Sequence, residues 1–201
     1  MINSVFDNLV YTTTISNLSA FEQHRSVFVT QLINLSKYIP RGEHIQSRGE
    51  ATTTVNLPKI FRDLPGFRLL LNILMPNIEE AFNNIFPNAN GKLELIRGWA
   101  NVMHKGSTTV SHIHSPIKNE PCLVCIFYLE APTNSAQLVI IDDDASNLEC
   151  VDFPSEKLYY IPVHPNMLVC HTDDVNHAVS EHLSDDRRIS IMFEMKIVED
   201  K

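Results

Sequence analysis

Three histidines and an arginine in the last ninety residues of this 201-residue chain carry its clearest chemical pattern. They are His112-Ile113-His114, then His177 in Asn176-His177-Ala178-Val179, then Arg188-Ile189-Ser190. Side chains alternate along a strand, so two histidines separated by one residue project to the same face and can share one divalent metal. A third ligand must come from a distant strand, and His177 stands 63 positions beyond His114. Arg188 follows eleven residues later. Alternation puts Arg188, Ser190 and Met192 on one face of the last strand and Ile189, Ile191 and Phe193 on the other. A guanidinium turned into a β core is costly unless it meets an anion, and its planar fork suits a carboxylate. The pattern therefore predicts a metal beside a cation that holds the far carboxylate of a small diacid.

The rest of the chain must supply strands to carry these residues. From Leu93 to Met103 the sequence alternates like a strand. So do Cys122 to Leu129, Gln137 to Ile141, Leu158 to Val163, Met167 to Cys170 and Arg188 to Ile197. Turn residues separate them at short intervals, as an all-β sandwich or barrel requires. Upstream, Leu18, Phe21, Phe28, Leu32 and Leu35 form one apolar stripe, which predicts a helix over 16–39 stopped by Pro40 and Gly42. A second helix is expected over 67–86, broken or kinked at Pro76. Between them lies a Thr-rich loop with a short strand around Thr53-Thr54-Val55. The chain thus reads as a single domain, 1–201, with a helical support over 1–90 and a β core over 91–201.

With 16 basic and 24 acidic residues the net charge is −8, which argues against a non-specific grip on nucleic acid. No apolar run reaches membrane length and the N-terminus lacks a signal-like core, so a cytoplasmic setting is expected. Cys122 and Cys125 form a lone CxxC inside a predicted strand, where odd separation sends the two thiols to opposite faces. Buried, reduced thiols are expected there, not a zinc site.

Taken together, Trp99-Ala-Asn-Val-Met, Gly106, His112-Ile-His114-Ser-Pro, Phe127-Tyr-Leu, His177-Ala-Val and Arg188-Ile-Ser190 resemble the 2-oxoglutarate and Fe(II)-dependent oxygenases. The nearest likeness is to a phage and bacterial branch whose metal motif reads His-x-His-Pro. The resemblance covers about residues 93–195. It implies a mostly β fold with N-terminal helices, namely a double-stranded β-helix (a jelly roll, or cupin-like barrel) flanked by supporting α-helices. It implies Fe(II) held by His112, His114 and His177. The cosubstrate 2-oxoglutarate would be bound by Arg188 and Ser190, with Tyr128 and Asn101 as further contacts. The implied reaction consumes molecular oxygen, decarboxylates 2-oxoglutarate to succinate and hydroxylates a small molecule or a polypeptide. A homo-oligomer is compatible with it. One departure stands out: His114 occupies the place where the family usually has Asp or Glu, so the ligand set lacks the negative charge that helps hold Fe(II).

Other readings compete. Asn101 shares a strand face with Trp99, for which core packing suffices, and Tyr128 reads equally well as a core aromatic. His171-Thr-Asp173 is a literal His-x-Asp, but the histidines that follow come too soon to leave room for intervening strands, so it is expected in a loop behind the site. His104 is expected at the surface, and Arg187 should face away from Arg188. A cupin-type metalloprotein that uses no 2-oxo acid is the main alternative. Gly106 and His112-x-His114 open that motif, but Glu120 falls a residue late and Arg188-x-Ser190 has no task. A non-catalytic β-sandwich is the third reading. The substrate carries no recognisable code in 42–58 or 118–122, so a prolyl residue, a free amino acid and a nucleobase all remain open.

Overall fold

Two antiparallel sheets face each other across an interior that combines an apolar cluster (Val124, Ile126, Val169, Leu138, Ile140) with a polar cavity, and helices cover the outside of the larger one. This is the arrangement in a computed structural model, which describes residues 1–37, 46–114 and 122–198. The strands are β1 (Ile2–Val5), β2 (Asn8–Thr14), β3 (Ser47–Arg48), β4 (Ala51–Thr53), β5 (Lys92–Met103) and β6 (Thr108–His112). They continue with β7 (Cys122–Glu130), β8 (Leu138–Ile141), β9 (Leu158–Ile161), β10 (Met167–Thr172), β11 (His177–Val179) and β12 (Arg188–Val198). The helices are α1 (Ser19–Ser36), α2 (Pro58–Asp63) and α3 (Pro65–Ile85). The larger sheet runs β1-β2-β10-β7-β12-β5-β4, and the smaller β3-β6-β11-β8-β9. The fold is the expected jelly-roll type, but among the described residues the sheets do not close into a barrel.

Strand β12 shows how the sequence divides the faces. Ile189, Ile191, Phe193 and Met195 are buried on its outer side with Leu123, Cys125 and Phe127 of β7 and Ala100 and Val102 of β5. The same cluster takes Phe21, Phe28 and Leu32 from α1 and Leu70, Leu74 and Ile78 from α3. Arg188, Ser190, Met192 and Glu194 fall on the inner side, toward the smaller sheet. A row of rings ties the helices to the sheet: Phe28–Phe61 at 6.4 Å, Phe61–Phe67 at 4.7 Å and Phe67–Phe193 at 5.3 Å. Gly98 permits the last contact, because a Cβ there would lie 2.6 Å from the Phe67 ring.

Residues 1–90 give more than helices. The β1–β2 hairpin turns at Phe6 and Asp7, both at positive φ (47° and 65°). Two-residue hairpin turns need that conformation and usually announce it with Gly, which is absent here, so the periodicity reading has no strand before Ser16. Through β2 against β10, this hairpin extends the larger sheet. The Thr-rich segment forms β4 two residues earlier than expected and pairs with β5, while β3 pairs with β6. Helix α3 runs through Pro76 without interruption, so the expected break does not occur. Pro40, Gly42, the Ser115-Pro116 pair, Glu120 and residues 42–45 and 118–121 of the two loops lie outside the described residues. None of the described helices is long and apolar enough to cross a membrane. The described cysteines are free thiols, and Cys122 and Cys125 are buried.

Removing the ring that joins helices to sheet should be costly. Phe67→Ala is expected to lower unfolding free energy by about 3–5 kcal/mol, as for other buried Phe→Ala changes. Urea denaturation measures this. A loss below about 1 kcal/mol would mean that the helices contribute little to the stability of the larger sheet.

Candidate metal centre

His112 and His177 are brought together by strand pairing. His112 ends β6 and lies directly opposite His177, the first residue of β11. Their rings are 4.3 Å apart. His114 lies beyond the end of β6, where its backbone N–H donates to the Asp173 carbonyl at 2.8 Å. The strand pattern that motivated the same-face pair therefore stops at His112, yet the His114 ring still stacks on His177 at 5.1 Å. One nitrogen from each of the three rings lies within 4.8 Å of the others, and His114 and His177 are almost fully buried.

The hydrogen bonds behind the rings decide which nitrogens face inward. His112 Nδ1 donates to the Val110 carbonyl at 2.8 Å and His177 Nδ1 to the Val175 carbonyl at 2.9 Å. A carbonyl can only accept, so each Nδ1 carries the proton and each Nε2 keeps its lone pair when the ring is neutral. His114 Nδ1 donates to Glu194 Oε1 at 2.6 Å. His114 Nε2 then meets His177 Nε2 at 3.3 Å. Two lone pairs at that distance repel unless a cation lies between them. Two imidazole nitrogens bound at right angles to one ion, each about 2.1 Å from it, would be about 3 Å apart. The donor set and its outward hydrogen bonds thus fit a divalent metal.

Glu194 is fully buried on the inner face of β12 and also pairs with Arg97 on β5, whose Nη2 lies 2.8 Å from Oε1. Burial pushes its pKa up, but the His114 and Arg97 hydrogen bonds more than offset this and hold it below the usual carboxylate range. Trp99 stacks on the His114 ring at 5.8 Å, and Arg97 lies over the indole at 5.3 Å. Behind His177 stands His171, fully buried on β10 with its ring edge-on at 4.8 Å. It occupies a strand, not the expected loop.

Beside the histidines is a cavity of about 200 Å³ with Arg188 in its wall. Strand register orders the inner face of the larger sheet in rows: Arg188 beside Met103, then Tyr128–Ser190–Asn101, then Ile126–Met192–Trp99, then Val124–Glu194–Arg97. Arg188 is 2% exposed and pairs with no described carboxylate. Its Nη1 reaches only Met103 Sδ at 3.2 Å and Ser190 Oγ at 3.3 Å, and its Nε has no partner. Its carbon centre sits 4.9 Å from the centre of the Tyr128 ring. Burial depresses its pKa; the nearby Tyr128 counters part of that, although its hydroxyl makes no hydrogen bond of ordinary geometry. The Asn101 Oδ1 is also buried without a partner. A guanidinium without a described acid and a phenol hydroxyl without a partner, side by side in one cavity, make a receptor for an anion, whereas the Asn101 Oδ1 can only accept.

Arg187 faces away, its Nε 2.7 Å from Glu130, and His104 lies half-buried outside the cavity. Sequence reasoning passed over Glu194 and the stacking role of Trp99. The signal was present, since Glu194 shares the period-two face of Arg188, Ser190 and Met192, and Arg97 and Trp99 share that of Asn101.

Residues 97–194 match the family described as “Putative 2OG-Fe(II) oxygenase”. No curated protein matches the sequence. Among solved structures, a Pseudomonas putida prolyl-4-hydroxylase is similar, with a TM-score of 0.59, 10% identity, and 94% of this chain and 92% of that one covered. A viral collagen prolyl hydroxylase from Paramecium bursaria Chlorella virus-1, solved with 2-oxoglutarate, gives 0.58 at 14% identity, covering 94% and 96%. HygX from Streptomyces hygroscopicus, solved with nickel, 2-oxoglutarate and hygromycin B, gives 0.62 at 12% identity, covering 95% and 83%. At these identities the likeness is one of fold.

Burial carries a pH dependence. Desolvation, the largest effect, drops the His171 pKa to about 4 and holds that of His177 well below its ordinary value. Above about pH 6.5 these rings are neutral folded or unfolded. As pH falls through 6.5 the unfolded chain binds protons that the native state refuses, and stability is lost until about pH 4. For His171 alone the loss is about 3 kcal/mol. Thermal melts of metal-free protein between pH 7 and 4.5 should therefore fall less steeply for His171→Asn than for the native chain. Equal slopes would refute the neutral, buried His171.

Proposed function

Because residues 97–194 match the 2OG-Fe(II) oxygenase family, we propose that the chain is such an oxygenase, that His112, His114 and His177 hold the iron and that Arg188 anchors the cosubstrate. The supporting observation is the juxtaposition of three inward Nε2 atoms, each ring tied from behind, with a buried guanidinium that lacks an acid. An iron held by these three residues would keep positions free for a 2-oxo acid and oxygen. Iron bound there supplies oxygen activation coupled to decarboxylation of 2-oxoglutarate to succinate, with hydroxylation of a C–H bond in the substrate.

The chain's own residues supply position and shelter. Arg188 and Ser190 receive the far carboxylate. On either side of Ser190 in the same row, Tyr128 donates its otherwise unpartnered hydroxyl and Asn101 its amide Nδ2–H. Ile126, Met192 and Trp99 form an apolar band between that anchor and the Glu194 row. It keeps water from the reacting centre and strengthens the charge interactions around it. Ile113, half exposed between two of the histidines, marks the mouth through which a small molecule or a polypeptide enters. Nothing about a cupin-type site explains an unpaired Arg188 in the cavity wall.

Consumption of 2-oxoglutarate with anaerobically loaded Fe(II), followed as succinate, tests the assignment. Arg188→Ala should weaken 2-oxoglutarate binding about thirtyfold to several thousandfold, the loss of a buried charge pair worth about 2–5 kcal/mol. It should leave metal content intact, while Arg187→Ala, ion-paired outside the cavity, should change little. If the two variants behave alike, or if native protein never consumes 2-oxoglutarate, the assignment fails.

A further inference from the structure

We infer that Glu194 is a positioning residue of the metal centre: through His114 it returns to the ion the negative charge that a ligand carboxylate would otherwise bring. This rests on the reading of the three histidines as the metal site. The three rings are backed differently. His112 and His177 are each backed by a neutral backbone carbonyl, Val110 and Val175. His114, the ring standing where the family motif has Asp or Glu, is backed by a full carboxylate at 2.6 Å. A carboxylate accepting from Nδ1 makes the opposite nitrogen a stronger donor and fixes the ring's orientation. Trp99, stacked on the ring face, restrains that orientation further.

Pairing with Arg97 does not account for Glu194 by itself. The Arg97 side chain is 40% exposed, so water screens its charge, whereas Glu194 is wholly buried beside His114. An Arg–Glu pair needs no such depth, and burying a carboxylate is costly unless its charge is used. In low-dielectric surroundings the field of Glu194 reaches across one imidazole ring with little screening. Glu194 lies in the sheet row next to that of Trp99 and Met192, on the side away from Arg188. The anion-binding and metal-binding ends of the cavity are thus given opposite charges by one strand.

The test uses Trp99, the only tryptophan of the chain. Its stacking on His114 makes its fluorescence a direct reporter of Co(II) or Ni(II) bound to that ring, independent of turnover. Glu194→Gln keeps shape and hydrogen bonding but removes the charge, and should weaken Co(II) binding about 10- to 100-fold. Arg97→Gln removes the other partner and leaves the charge, and should bind Co(II) at least as tightly as native protein. The double variant His114→Asp/Glu194→Gln moves the carboxylate onto the metal and should recover affinity to within about tenfold of native. Unchanged affinity in Glu194→Gln overturns the inference. So does a loss in Arg97→Gln equal to that in Glu194→Gln, which would make Glu194 merely the anchor of Arg97. If native protein and His177→Ala bind Co(II) equally, the three-histidine site itself is wrong and the inference falls with it.

Discussion

Charges enclosed between two sheets must be neutralised where they stand, because there is little water to do it. That constraint shapes this molecule. The inner face of β12 carries a cation at one end, Arg188, and an anion three rows further along, Glu194. Glu194 is satisfied twice, by His114 and Arg97, whereas Arg188 has a thioether and a hydroxyl for company. A guanidinium so poorly served is tolerable only if an anion completes its surroundings, and the cavity beside it is where that anion fits. The helices, the aromatic row and the N-terminal hairpin all brace the sheet that holds these two groups.

The site is built mainly on strands, which gives it precision. His112 and His177 meet because β6 and β11 pair in register, and Tyr128, Ser190 and Asn101 align because β7, β12 and β5 do. A slip of one residue in β12 would exchange Arg188 and Ser190 for Ile189 and Ile191. The apolar outer face forbids this, since it would expose Ile189, Ile191 and Phe193 to the cavity and bury charge against the helices. Packing on one side of the strand thereby fixes chemistry on the other.

Much of this was legible in the sequence, and the reason is period-two alternation. It located β5, β7, β10 and β12 to within a few residues and put Arg188 and Ser190 on the inner side. The stripe from Leu18 to Leu35 likewise disclosed α1. What stayed hidden had no local signal. The β1–β2 hairpin lacks the glycine that normally marks its turn, and Pro76 sits inside a helix whose burial outweighs the missing hydrogen bond. His171-Thr-Asp173 was expected in a loop because the next histidines follow too soon for intervening strands, yet His171 is enclosed in β10. Glu194 was overlooked for a different reason: its role depends on His114, 80 residues away, and only the fold joins them.

In the proposed site His114 stands where the family motif has Asp or Glu, and the Glu194 carboxylate sits one ring farther back. The most direct measurement is an anaerobic crystal structure with Fe(II) and 2-oxoglutarate bound. The account predicts one iron with Nε2 of His112, His114 and His177 at about 2.1–2.2 Å. No protein carboxylate should touch it, and the far carboxylate of 2-oxoglutarate should rest on Arg188. An iron bound by Glu194 or Asp173 directly, or a 2-oxoglutarate that leaves Arg188 unpaired, would contradict it.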